Sequence, residues 1–300
     1  MISVWNINCD RRQSGKIKEA LPECCMSERF TKIRKQIKKR LKNGGLFILL
    51  EVDNETCKKL DWYVLSKDWL FESAHYNSSE TSFSYVVIYT QGYCINYSDL
   101  YPLTMSGLPY SSPRDKSKEH LLETFNEEFE KGVFHIILTL PTSLTIDLFV
   151  VHLGLKNDSR LLQTKKLQEY VASHKKALIV GDLNSFDSTK KEPTLFTTQL
   201  DMLLESGFLH SSNTIQSTFD NRFFPYDLQF KMTTEDKQEY DKLLKGDDHI
   251  AFREFLLGLP KKYSTEGVAL DHVFSKGIDC TVKSEALYEL SDHSLITVSL

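Results

Sequence analysis

Six short apolar runs along this chain each adjoin a small polar group at one end. The runs at 46–50, 148–151 and 177–180 lead into Glu51, His152 and Gly181-Asp182-Leu183-Asn184-Ser185, and Val4-Trp5 leads into Asn6-Ile7-Asn8. Asp271-His272 stands ahead of Val273-Phe274, and Ser291-Asp292-His293-Ser294 ahead of the last run at 295–300. Apolar runs of this length bounded by polar groups predict short buried strands, with a further one over 83–89. Side chains two apart on a strand share a face, so Asp182 and Asn184 can converge on one phosphate or one hard cation.

Between these runs the period changes. Phe30, Ile33, Ile37 and Leu41 form a helical stripe that Ser27 would cap and Gly44-Gly45 would end. Its other positions (Lys32, Arg34, Lys35, Lys38, Lys39, Arg40, Lys42) read as a solvated basic face. A helix is predicted over 160–174, with Leu161, Thr164, Leu167 and Val171 on one side, and a short one over 198–206 before Gly207. The stretches 133–140 and 145–153 predict a hairpin through Pro141-Thr142-Ser143. The segment 101–131 reads as irregular, then charged and helical near 121–129. A polar, helix-prone insertion occupies about 211–262, with helices over 234–245 and 248–257. Phe219, Phe223, Phe224, Tyr226 and Phe230 precede those helices and either stack bases or pack beneath the insertion.

Composition narrows the function classes. Three hundred residues, 41% of them hydrophobic, suffice for one large α/β domain. The polar strand ends run from Asn6 to His293, so a single site needs both ends of the chain, which predicts one domain over 1–300. A net charge of −4 and a pI near 6.2 argue against a global basic field for nucleic acid. Cys9, Cys24, Cys25, Cys57, Cys94 and Cys280 have no zinc-type spacing, which argues against a structural zinc site and suits reduced thiols. The chain opens directly on a motif strand, and its apolar runs fall short of the roughly 20 residues of a membrane span. A cytoplasmic location is therefore expected.

In order and spacing, the polar set resembles the exonuclease–endonuclease–phosphatase superfamily, the DNase I-like hydrolases. Gly181-Asp182-Leu183-Asn184-Ser185 and Ser291-Asp292-His293-Ser294 are its specific pieces. With His152-Leu153, Arg160 and Gln163 the set is most similar to the branch holding deadenylases and related phosphodiesterases. The resemblance implies a four-layered α/β/β/α sandwich, two mixed sheets face to face with helices outside. Strand–helix alternation alone would suggest a parallel doubly wound fold.

The resemblance also implies hydrolysis of phosphate esters with Mg²⁺ or Mn²⁺. The first substrate expectation is a phosphodiester in nucleic acid or a nucleotide. A phosphoinositide phosphatase or sphingomyelinase-like lipid-headgroup hydrolase is the alternative, and a catalytically silent binding module is the reading from another class. Glu51 is the first expected metal ligand, because a carboxylate behind a buried strand must meet a cation or a donor. Asn6 and Asp292 match metal-side positions of the family, and Asn8 stands where several of its nucleases carry Asp. Asp271 would orient His293, which acts either as base or as a cationic clamp, with Asp182 competing for the base role. His152 would donate to a phosphate oxygen and Asn184 would orient water or phosphate. Arg114 aligns with a substrate-contacting loop arginine, and His272 takes a packing position.

Overall fold

A computed structural model describes residues 1–9, 15–76, 83–103, 131–154, 157–185, 197–215, 217–219, 232–263, 269–287 and 290–300. Among them are two six-stranded mixed sheets. The first contains β1 (Ile2–Asn6), β2 (Leu46–Asp53), β3 (Leu70–Tyr76), β4 (Phe83–Tyr89), β11 (Thr281–Glu285) and β12 (Leu295–Ser299), in the order β11-β12-β1-β2-β4-β3. The second contains β5 (Cys94–Pro102), β6 (Gly132–Thr139), β7 (Thr145–His152), β8 (Ala177–Asp182), β9 (Leu209–His210) and β10 (Asp271–Lys276), in the order β5-β6-β7-β8-β10-β9. The parallel pairs β1/β2 and β7/β8 are each joined through helix, as a crossover requires.

Alternation along the strands sets the layers. Ile2 and Val4, Leu46, Ile48 and Leu50, Leu148 and Val150, and Leu178 and Val180 meet in one core between the sheets. The opposite faces of the first sheet, Trp5, Phe47 and Leu49, bury against α2 (Met26–Leu41) and α3 (Asn54–Leu65) through Ile33, Ile37, Leu60 and Val64. On the second sheet Phe149, Ile179 and Phe274 pack under α4 (Asn157–Val171) and α5 (Thr197–Glu205) through Leu167, Val171, Leu200 and Leu203. Helix, sheet, sheet and helix are the four layers that the resemblance implied.

A satellite core joins α1 (Gly15–Ala20) to α6 (Thr234–Lys245) and α7 (His249–Tyr263) through Ile17, Leu21, Tyr240, Phe252 and Leu256. Helices α6 and α7 therefore rest on the segment that follows the first strand. Arg253 reinforces the contact with hydrogen bonds to the Ala20 carbonyl at 2.6 Å and Glu23 at 2.8 Å.

Local differences from the sequence reading have physical causes. Helix α2 starts one residue before Ser27 and takes Cys25 as its cap, with no side-chain cap bond. Its inward stripe includes Arg29, which is buried and which the sequence reading assigned neither to the apolar stripe nor to the basic face. On α4 the buried positions are Arg160, Gln163, Thr164, Leu167 and Val171 rather than Leu161, because Arg160 and Gln163 turn inward to bind the backbone at Gly154. The helix ends at Val171, three residues short of His174. The predicted helix at 121–129, Arg114, Phe223, Phe224, Tyr226 and Phe230 lie outside the described residues.

Candidate active site

The polar ends of the strands meet at one edge of the sandwich. In the second sheet this follows from register alone: Asp182 is paired with His152 on one side and with Asp271 on the other. All three share the parity of the inward-facing Val150, Val180 and Val273, so they line up on the face that meets the other sheet. Gly181 makes that line possible. Its φ is +133°, and a Cβ there would stand 2.1 Å from the Val151 carbonyl oxygen, so a side chain cannot be accommodated.

The first sheet reaches the same point by irregular backbone. Asn6 continues the inward parity of Ile2 and Val4, and its Nδ2 donates to Asp182 Oδ2 at 3.1 Å. Glu51 has the outward parity of Phe47 and Leu49, and regular alternation would bury it under α2. A bulge between Leu49 and Val52, with Glu51 at φ +53°, turns it inward instead. Its Oε1 lies 3.2 Å from His152 Nε2, and Asn6 bonds its carboxylate. Asn8 (φ +43°) and Asn184 (φ +49°) are also left-handed. Such strain is retained where surrounding contacts fix it, and it clusters at functional sites.

The last strand brings the remaining groups. His293 Nδ1 bonds Asp271 Oδ2 at 2.8 Å, while its Nε2 faces Asp182 Oδ2 at 3.8 Å and Asp292 Oδ1 at 4.0 Å. Asn8 Nδ2 donates to Asp292 Oδ2 at 2.9 Å, and the Asn8 N–H donates to Asn6 Oδ1 at 3.0 Å. Asn184 is held by its N–H to Asp182 Oδ1 and by its Nδ2 to the Leu153 carbonyl, both at 2.8 Å. His272 packs behind the site, its two ring nitrogens facing the Ser185 carbonyl and His210.

Several supports were not apparent from sequence. Lys131 lies beside His152, Nζ to Nδ1 at 3.3 Å. Burial lowers its pKa to about 8 against the pull of Glu51 and Asp182. Lys131 immediately precedes β6, which runs antiparallel to β7, so it lies at the edge where β7 ends in His152, and that rule could have found it. Tyr85 crosses from the first sheet to the second, donating to the Gly132 carbonyl at 2.7 Å and accepting the His152 N–H at 2.9 Å. Arg29 reaches from α2 to the carbonyls of Ile7, Asn8 and Leu290, tying together the two loops that carry Asn8 and Asp292. Thr218 Oγ1 accepts the N–H groups of Leu270 and Asp271 at 2.9 Å, and the Phe219 ring stands edge-on to His293 at 5.1 Å. Thus the first residues of the 211–262 stretch border the site.

The electrostatics are those of an acidic, enclosed cluster. Burial pushes the Glu51 carboxyl up, opposed by His293 and Lys131. Burial also pushes Asp182 up against the pull of His293, and neighbouring Asp271 adds to the rise. For His293, burial alone would lower the pKa, but Asp271, Asp292 and Asp182 hold it well above the ordinary value. His152 is pushed well below by burial and by Lys131 and His293. Glu51, Asp182, Asp292, Asn6 and Asn8 are hard oxygen donors concentrated in one place, which is the donor set that suits Mg²⁺ or Mn²⁺. A dication would favour the ionised carboxylates that burial disfavours.

No family model and no curated protein matches this sequence. Solved structures do match over nearly its full length. A mannosyl-6-phosphatase of Bacteroides thetaiotaomicron has a TM-score of 0.62 at 12% identity, over 100% of this chain and 99% of that one. An endonuclease/exonuclease/phosphatase family protein of the same species has a TM-score of 0.60 at 13% identity, over 99% and 95%. Truncated TDP2 of Caenorhabditis elegans has a TM-score of 0.52 at 16% identity, over 99% and 95%. The chain therefore has the fold of the exonuclease–endonuclease–phosphatase superfamily, the DNase I-like proteins.

Proposed function

We propose that this chain is a divalent-metal-dependent hydrolase of phosphate esters, with a phosphodiester in nucleic acid or a nucleotide as its first substrate class. The observation that carries the reading is the convergence of Asn6, Glu51, His152, Asp182, Asn184, Asp271, Asp292 and His293 at one edge between the sheets. The same convergence is why 1–300 reads as one domain.

Glu51, with Asn6 and Asp292, would hold Mg²⁺ or Mn²⁺. When bound, the ion supplies charge neutralisation at the phosphoryl and leaving oxygens. The chain's own groups supply the rest. Asp271 fixes the His293 ring by accepting from Nδ1, so that Nε2 is presented towards the space beside Asp182. His152 and Lys131, which adjoin each other, would supply donors to the phosphate oxygens. Asp182, anchored by the Asn6 carboxamide and the Asn184 N–H, is positioned to orient a water for in-line attack. Asn8 donates to Asp292 and so sets the angle of that carboxylate. Arg114 is kept as a substrate-contact proposal from the resemblance alone.

A phosphomonoester or lipid headgroup is the second reading, favoured by the presence of a mannosyl-6-phosphatase among the structural neighbours. One panel separates the two. Single- and double-stranded DNA, poly(A)-tailed RNA, a phosphoinositide, sphingomyelin and a sugar phosphate are incubated with Mg²⁺ or Mn²⁺, with and without excess chelator. The proposal expects turnover of a nucleic-acid diester that chelator abolishes. Turnover confined to the sugar phosphate or lipids would select the second reading, and full activity in chelator would remove the metal from it.

A further inference from the structure

Among the described residues three groups of side chains have the composition and closeness of a metal site, and two of them belong to the edge described above. The third is His135, Asp147 and His174, whose ligand atoms lie within 4.8 Å of one another. It stands on the other face of the second sheet. Phe149, which neighbours Asp147 on that face, belongs to the core beneath α4 and α5 rather than to the core between the sheets. Asp147 is also five residues before His152 on the same strand, about 16 Å along it. The two centres are separate.

We propose that His135, Asp147 and His174 bind a borderline transition-metal cation of the Zn²⁺ class. Two imidazoles and one carboxylate are the ligands such ions take, whereas Mg²⁺ and Ca²⁺ prefer oxygen alone. His135 Nε2 is 2.9 Å from Asp147 Oδ1, and His174 Nδ1 is 3.1 Å from Asp147 Oδ2. Those two distances end on different oxygens of Asp147; with one oxygen as the ligand, the three ligand atoms lie within 4.8 Å of one another, and the side chains would adjust towards the roughly 3.3 Å separation of tetrahedral zinc ligands.

Three elements fix the ligands. His135 faces Phe149 across the β6/β7 ladder and Asp147 faces Ile137, so His135 and Asp147 are diagonal neighbours on one face. The loop after α4 carries His174 and is pinned at both ends: the His174 N–H donates to Val171 at 3.2 Å, and the Asp147 N–H donates to Lys176 at 2.9 Å. The outer shell is also built. Tyr170 Oη meets His135 Nδ1 at 3.0 Å, the nitrogen that would not face the ion, as ligating histidines usually require. Phe149 stacks on His135 with ring centroids 4.5 Å apart and stands edge-on to His174 at 5.0 Å. Asp147 and His174 each keep 23% of their side-chain surface accessible, so an ion has a way in and water has a way to complete its coordination. The ion would staple the α4–β8 loop to the hairpin.

The test uses the full chain carrying Glu51→Gln, which weakens cation binding at the other centre. Chelator-stripped protein is dialysed to equilibrium against Zn²⁺ with bound metal counted, and is separately titrated with Co²⁺ and followed in the visible. The expected result is one zinc equivalent, visible cobalt bands and a zinc-dependent rise in Tm. Adding His174→Gln or Asp147→Asn should lower zinc affinity on the order of 10- to 100-fold and remove the bands. His174 is partly exposed at a loop, so its variant should fold, and the far-ultraviolet spectrum checks this. Failure of the Glu51→Gln protein to take up zinc, or equal stoichiometry and spectra with and without the added substitutions, would overturn the proposal.

Discussion

The two sheets deliver their polar side chains to the shared edge by different means. The second sheet uses regular geometry for three of them: His152, Asp182 and Asp271 are neighbours on one register line with a positive φ at Gly181, and the left-handed Asn184 follows past the end of β8. The first sheet uses irregular geometry, with a bulge beneath Glu51 and left-handed conformations at Glu51 and Asn8. It then needs Arg29 to hold the strained loops through their carbonyls. A regular strand end aims a side chain at no conformational cost. A bulge can aim one that alternation would have sent to the wrong face, and the surrounding structure must offset its strain.

Breaking the irregular half should have the largest effect on rate. Glu51→Ala should lower phosphoesterase turnover on the order of a thousandfold, the scale of several kcal/mol lost at the metal. Glu51→Gly should lose as much activity yet unfold at a higher temperature than Glu51→Ala, because glycine relieves the left-handed strain of about 1–2 kcal/mol. Calorimetry beside the activity assay checks both. Equal Tm values would mean that the backbone at Glu51 stores no strain.

The same contrast explains what the sequence made visible. Asp182, His152 and Asp271 could be placed because a period of two carries side-chain direction through a regular strand, whereas Asn184 lies past the end of β8 in a left-handed conformation and meets Asp182 through its backbone N–H rather than by sharing a strand face. Glu51 was found from its position behind an apolar run, but its direction was not, because a bulge leaves no periodic signature. The four layers followed from the resemblance, whereas β3, β5 and β11 had no reading, their residues being half-exposed and mixed in character. Arg29 was hidden among the basic residues of its helix, since nothing local distinguishes a cation that meets distant carbonyls. The His135, Asp147 and His174 group was equally silent, because hairpin register and a loop after a helix bring its members together.

Breaking the regular half should act first on stability. Gly181→Ala sets a Cβ against the Val151 carbonyl and should cost about 2–4 kcal/mol, read as a lower midpoint in urea. Its folded fraction should also turn over more slowly, because relieving the clash shifts Asp182 relative to His152. A wild-type midpoint would mean that the strand can slide without consequence.

A smaller effect is expected at Asn8, where an acid would replace a donor to Asp292. Asn8→Asp should destabilise the metal-free protein by about 1–2 kcal/mol, through the lost hydrogen bond and the facing like charges. Saturating Mg²⁺ should recover most of that difference, and thermal unfolding with and without the ion measures it. A loss unaffected by Mg²⁺ would separate Asn8 from the metal side of the site.

The central claim is that the two halves form one catalytic unit, and Asp271 of the second sheet meets His293, which leads into the last strand of the first, at 2.8 Å. A double-mutant cycle on kcat/KM tests it most directly. His293→Ala should cost about 10²–10⁴ in rate, and Asp271→Asn somewhat less because the ring remains. The doubly substituted enzyme should be scarcely slower than His293→Ala alone. Losses that simply multiply would contradict the account, since Asp271 and His293 would then act independently.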